Sequence, residues 1–193
     1  MNKFRSVLLI FGVIGVSFTA VGQSYGQNAL LKELATEDQD TTSGKAVKRT
    51  DQERLALVLE LLGKGLVMQP EDQANAALVL QHTGATYCDG KLISLSPDNY
   101  LLGHNLANSA YKAGYAKARW LVAASLDRYL SFTQGYQKYG TNRLTNPKTG
   151  KDEWVPIDRN TSDKERAEYG VAPLATLLKQ FPEQQRKKEN KRP

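Results

Sequence analysis

The sequence predicts a mainly α-helical domain of antiparallel helices that carries one small β-hairpin. Three observations lead there. Apolar residues return at three- and four-residue spacing in successive stretches, as in Leu55, Val58, Leu59, Leu62 and Leu66. Caps and breakers stand between those stretches, with Asp51, Pro70, Ser96-Pro97-Asp98 and Gly114 the clearest. Only after Leu130 does the chain change character. There Arg143-Leu144 and Trp154-Val155-Pro156-Ile157 flank Asn146-Pro147-Lys148-Thr149-Gly150, the composition of a hairpin turn.

Lys3 and Arg5 precede the apolar run Val7 to Val16, and small residues follow from Thr19. That order makes residues 1–22 a signal peptide, with an uncleaved membrane anchor as the competing reading. The mature protein is then exported, periplasmic or extracellular, with no transmembrane segment once the signal is removed. Residues 23–50 read as a flexible N-terminal arm. A short helical possibility at Ala29 to Leu34 gives way to a polar, aperiodic stretch from Thr36 to Thr50.

The helical domain spans residues 51–181. Asp51 is a good N-cap for its first helix. A second begins at Glu71-Asp72, with acids where the helix dipole favours them. Thr83 to Pro97 is a loop with a short extended piece at Leu92-Ile93. Leu101, Leu102, Leu106, Ala110 and Tyr111 supply the apolar face of a third helix.

The longest helical stretch, Tyr111 to Leu130, has two faces. Ala118, Leu121, Val122, Leu126, Tyr129 and Leu130 form one apolar stripe. Trp120, Ala123, Ala124 and Asp127 form another, small enough in the middle for a helix to approach. Short helices at Lys164 to Tyr169 and Leu174 to Phe181 close the domain, and residues 182–193 form a basic disordered tail.

Net charge excludes one class of partner. Of 26 basic residues, Lys3 and Arg5 lie in the signal segment. Arg186, Lys187, Lys188, Lys191 and Arg192 lie in the tail with the acid Glu189, so residues 6–185 carry 19 groups of each sign. A balanced domain has no electrostatic case for nucleic acid, although the tail can touch acidic surfaces. The single cysteine, Cys88, rules out an internal disulfide, so packing must hold the fold.

Leu106-Ala107-x-x-Ala110-x-x-x-Gly114-x-x-x-Ala118-x-x-Leu121-x-x-Ala124 resembles one helix pair of the Sel1 and tetratricopeptide (TPR) class, in which small residues let antiparallel helices touch. A second resemblance follows the order of four motifs. These are Ala77-Leu78-Val79-Leu80-Gln81-His82, then Ala118-Arg119-Trp120-Leu121 running to Leu126-Asp127-Arg128-Tyr129-Leu130, then Gln137-Lys138-Tyr139-Gly140-Thr141-Asn142, and last Thr161 to Arg166 with Gly170-Val171-x-Pro173-Leu174. Together they resemble a widespread uncharacterised family, a domain of unknown function that is helical and often exported. Asn142 stands where that pattern has Gln. The resemblance implies a fold and no activity.

Candidate chemistry concentrates in Asp127 and Arg128 and the loop that follows. An arginine at the end of an apolar helix can bind loop carbonyls or a ligand carboxylate, with Asp127 setting its direction. Tyr136 and Tyr139 add flat surfaces, and Gly140 lets backbone N–H groups approach a ligand, with Thr141 and Asn142 beside them. The alternative is that this segment ties the hairpin to the helices and binds nothing. His82 ends an apolar helix, where it suits the dipole or serves as a base, and His104 reads as surface. Two histidines with no metal-ligand spacing give no metal site; no cofactor is implied, and hydrolase and nucleotide motifs are absent. The sequence therefore points to a non-catalytic exported binding or interaction module for an unknown protein or small molecule. The alternative is a hydrolase-type enzyme using His82 with Asp127 or Tyr139.

Overall fold

A computed structural model describes residues 27–82, 84–88, 91–145 and 152–180. The expected signal peptide and basic tail lie outside those residues. The described residues are mainly helical, with seven α-helices and two small hairpins in the order α1 (Ala29–Thr42), α2 (Asp51–Gly63), α3 (Pro70–Gln81), β1 (Ala85–Cys88), β2 (Lys91–Ser94), α4 (Asp98–Lys112), α5 (Arg119–Gln134), β3 (Arg143–Thr145), β4 (Asp152–Trp154), α6 (Asp163–Glu168) and α7 (Leu174–Gln180). A 3₁₀ turn at Ala116–Ala118 leads into α5. No helix among them is long and apolar enough to cross a membrane.

The arm differs from the sequence reading. Residues 29–42 are one helix, N-capped by the Asn28 side chain, which accepts from the N–H groups of Leu30 and Leu31. Its buried residues, Leu31, Leu34, Ala35 and Asp38, fall at i, i+3, i+4 and i+7. The apparent lack of period after Thr36 arose because the stripe continues in a charged residue. Leu31 and Leu34 are completely buried, each contributing about 1.5–3 kcal/mol by the usual transfer estimate. Arg49 pairs with Glu33 and Glu37 and draws the following loop back onto α1.

Helix α2 begins one residue earlier than Asp51 suggests, because Thr50 is the N-cap. Its hydroxyl accepts from Glu53 N–H while the Glu53 carboxylate accepts from Thr50 N–H, a capping box. Pro70 opens α3, its missing N–H costing nothing in the first turn. Helix α3 is the centre of the bundle, packed against α1, α2, α4 and α5. It presents Val79 and Leu80 to Leu31, Leu34, Val58 and Leu61 on one side, and Ala77 to Ala107, Leu121 and Val122 on another.

Gly103 makes the α3–α4–α5 crossing possible. A Cβ there would stand 3.2 Å from the Ala77 carbonyl oxygen and 3.7 Å from Ser125 Oγ. The break expected at Gly114 is present: its φ of 95°, which L side chains rarely adopt, separates α4 from the turn that leads into α5. Within α5, Leu121 to Ser125 are all buried, whereas Trp120 is exposed and takes no part in the second face assigned to it.

The predicted hairpin is present as β3–β4, with Arg143 opposite Trp154 and Thr145 opposite Asp152. Its turn, 146–150, lies outside the described residues. The extended piece expected near Leu92 is half of a second hairpin, Ala85 to Cys88 paired with Ser94 to Lys91.

Candidate functional site

The loop after α5 is built around two buried charges of opposite sign. Asp127 is completely buried, and its carboxylate accepts four hydrogen bonds. Tyr139 N–H donates to Oδ1 at 2.8 Å, while Gly140 N–H (2.8 Å), Thr141 N–H (2.8 Å) and the Thr141 hydroxyl (2.7 Å) donate to Oδ2. Burial pushes this carboxyl's pKa above its ordinary value and the four donors pull it back. Arg166, also completely buried, takes the other polarity of the same backbone. It donates to the carbonyls of Tyr139 (3.0 Å), Lys138 (3.3 Å), Asp158 (2.6 Å) and Thr161. The loop's N–H groups thus go to an acid and its carbonyls to a guanidinium.

Gln137 closes the ring. Its side chain donates to the Asn142 and Val155 carbonyls and accepts from Asn142 N–H at 2.7 Å. The Asn142 amide donates to Ser131 Oγ at 3.1 Å, back on α5.

Apolar packing completes this network. Tyr139 is buried with its ring edge-on to Tyr169 at 5.2 Å, and its hydroxyl donates to Glu165 at 3.4 Å. Burial pushes that phenol upward, so it is neutral at physiological pH. Gly140 has a φ of 99°, and a Cβ on it would come within 2.7 Å of Leu177 Cδ1 and 3.1 Å of Ile157 Cδ1. The close approach that needs glycine is therefore made by the protein's own side chains. Tyr139, Gly140 and Asn142 are buried, not displayed.

Arg128 does not belong to this network, and the sequence expectation that Asp127 directs it is corrected here. One step along a helix rotates a side chain by about 100°. Arg128 instead donates to the carbonyl of Gln81, the last residue of α3, at 2.6 Å. Burial lowers its pKa, opposed by Tyr100 and Asp38, which lie close enough to act through space. Among the described residues Arg128 makes no direct ion pair and no second hydrogen bond.

His82 sits beside it as the C-cap of α3. Its Nδ1 contacts Asp38 Oδ2 at 2.5 Å, and because a carboxylate only accepts, Nδ1 is the donor. Asp38 is 3% exposed and the imidazole 26%, so a buried acid from α1 fixes a half-exposed ring and leaves Nε2 turned away from it. His82 shares no hydrogen bond with Asp127 or Tyr139, whose polar atoms are engaged as described. His104, read as surface, is half-buried and bonds the Val122 carbonyl of α5 at 2.9 Å.

Sequence reading missed Asp38, Gln137 and Arg166 as site-forming residues. The signal for Asp38 was its place at i+7 on the α1 stripe. Arg166 lies within the fourth motif, but nothing local in a six-residue helix distinguishes a buried arginine from a solvated one.

Two shallow cavities lie elsewhere. One of about 340 Å³ is bordered by Gln69, Glu71 and Tyr115. The other, of about 400 Å³, is bordered by Tyr136, Ile157, Asp158 and Asn160. Among the described residues no group of three or more His, Cys, Asp or Glu side chains could hold a metal ion, and Cys88 is exposed. No protein-family model matches the chain, and neither a curated protein nor a solved structure does.

Proposed function

We propose that this chain is an exported, non-catalytic helical binding module of the uncharacterised family its motifs resemble, with α4 and α5 as its Sel1-like pair. Its ligand, a small molecule or a side chain of a partner protein, contacts His82 and Arg128. The observation that carries this reading is unused hydrogen-bonding capacity. The His82 side chain is part-exposed and Arg128 is part-buried, each holds one side-chain hydrogen-bond partner among the described residues, and Tyr100 and Asp38 act on Arg128 through space. The Asp127 loop is the support that fixes the end of α5, since its donors and acceptors are spent inside the protein. Export rests on the positive and apolar order of residues 3–16.

A screen of small polar compounds by amide and side-chain NMR tests the assignment. Compounds that bind should move the signals of Asp38, His82 and Arg128 and leave Tyr139 to Asn142 in place. Hits confined to the Tyr136–Asn160 cavity would overturn it.

The second reading is an acid–base enzyme, favoured by the 2.5 Å Asp38–His82 contact. Asp38 then takes the role that the sequence assigned to Asp127 or Tyr139. Hydrolysis of an activated ester that disappears in His82→Gln, with the fold intact, would favour the enzyme. The binding module has no such turnover.

A further inference from the structure

We infer that Arg128 with His82 receives a singly charged oxyanion, the carboxylate or phosphodiester group of a ligand. This rests on the binding face proposed above and names its chemistry. Arg128 is a partly desolvated cation whose one hydrogen-bond partner among the described residues is the neutral Gln81 carbonyl. A guanidinium carries five N–H donors in a planar fork that matches two oxygens of one anion. Removing it from water without a direct counter-charge is costly, and an oxyanion offsets that cost where a neutral group does so only in part.

Asp38 does not fill this role. Its Oδ2 is held by His82 Nδ1 at 2.5 Å and by the Gln39 amide at 3.1 Å, and it reaches Arg128 only through space. His82, positioned through Nδ1, follows Gln81 in the chain and so stands at the end of α3 that Arg128 binds, with no hydrogen bond to Nε2 among the described residues. The surroundings also set the charge of the ligand. Asp38 and the carbonyl end of α3 both repel negative charge, so a monoanion is accepted more readily than a dianion. Tyr100 supplies a phenol within electrostatic reach and no further cation.

The probes are acetate and dimethyl phosphate, which present the two sources of such a group, and trimethyl phosphate, which has the shape without the charge. Full-length protein labelled with ¹⁵N-arginine is titrated with each. The expected result is a saturable shift of the Arg128 Nε–H signal with acetate, dimethyl phosphate or both, and none with trimethyl phosphate. The stronger of the two identifies the source. Arg54 and Arg166 are fully buried and serve as internal controls. Arg128→Lys, which keeps the charge and loses the fork, should weaken binding about tenfold, read in both proteins from the His82 ring signals. The wild-type titration decides the matter without that variant if lysine disturbs the fold. Failure of both anions to shift Arg128, or equal affinity in a folded Arg128→Lys protein, overturns the oxyanion assignment. If trimethyl phosphate or another neutral compound moves the same signals, the binding face stands with a different ligand class. If nothing moves them, both proposals fall.

Discussion

Asp127 and Arg128 are neighbours in sequence and stand in environments of opposite completeness. Around Asp127 the charges are met: four donors meet one buried carboxylate, and the buried Arg166 meets the carbonyls of Lys138 and Tyr139 in the same loop. Around Arg128 and His82 one side-chain partner each is fixed among the described residues, and both side chains are only part-buried. In the first region the Asp127 carboxylate, the Tyr139 to Thr141 N–H groups, the Gln137 side chain and the Arg166 guanidinium already bond one another's backbone and side chains. The second holds side-chain donors with no partner among the described residues, the basis of the binding proposed there. Density of special residues in a loop therefore marks a site that is demanding to build, and only unspent capacity marks one able to bind.

The sharpest way to break this contrast is to remove the charge that the closed region depends on most. Arg166→Met should cost about 3–5 kcal/mol, because buried carbonyls from Lys138, Tyr139, Asp158 and Thr161 lose their donor together. Urea denaturation measures this, and a loss below about 1 kcal/mol would mean that water replaces the guanidinium. Asp127→Asn comes next, at about 2–4 kcal/mol, since the amide turns a donor toward N–H groups that need an acceptor. Arg128→Lys should cost only about 1 kcal/mol, because one neutral carbonyl at a part-buried position is the hydrogen bond it makes among the described residues. A cost as large as that of Asp127→Asn would make the Arg128 face as structural as the loop.

A smaller effect appears with pH. Asp158 has its pKa lowered by the Asn160 N–H first, then by the Thr161 hydroxyl and the Arg166 and Lys138 charges. A depressed carboxylate stabilises the fold above its unfolded value near pH 4, and that contribution is lost as the pH falls through the folded value. The melting temperature should therefore drop less steeply below pH 4 in Asp158→Asn than in wild type. Identical acid limbs would show that the loop does not use this charge.

Much of the fold was legible from the sequence because it depends on local patterns. The periodicity of Leu55 to Leu66, the break at Gly114 and the turn composition of 146–150 each specify an element without knowledge of its neighbours. The first helix was only half visible. Leu31 and Leu34 start its stripe, but Asp38 completes it, and a buried acid looks like loop until His82 is placed against it. The importance of Asp127 to the loop was legible and its separation from Arg128 was not. Sequence adjacency suggested a pair, whereas the helical rotation sends one side chain to the loop and the other to the end of α3. Arg166 illustrates the remaining limit: its value comes from four carbonyls, two just upstream at Asp158 and Thr161 and two in the distant loop at Lys138 and Tyr139, and no local pattern reports that convergence.

The division of labour between Asp127 and Arg128 is tested most directly by a double-mutant cycle on folding free energy, using Asp127→Asn, Arg128→Lys and the combined variant. Two separate networks should give effects that add within about 0.5 kcal/mol, although the residues are adjacent. A coupling above about 1 kcal/mol would show that the acid and the guanidinium act as one unit, contradicting the separation of a closed scaffold from an open binding face.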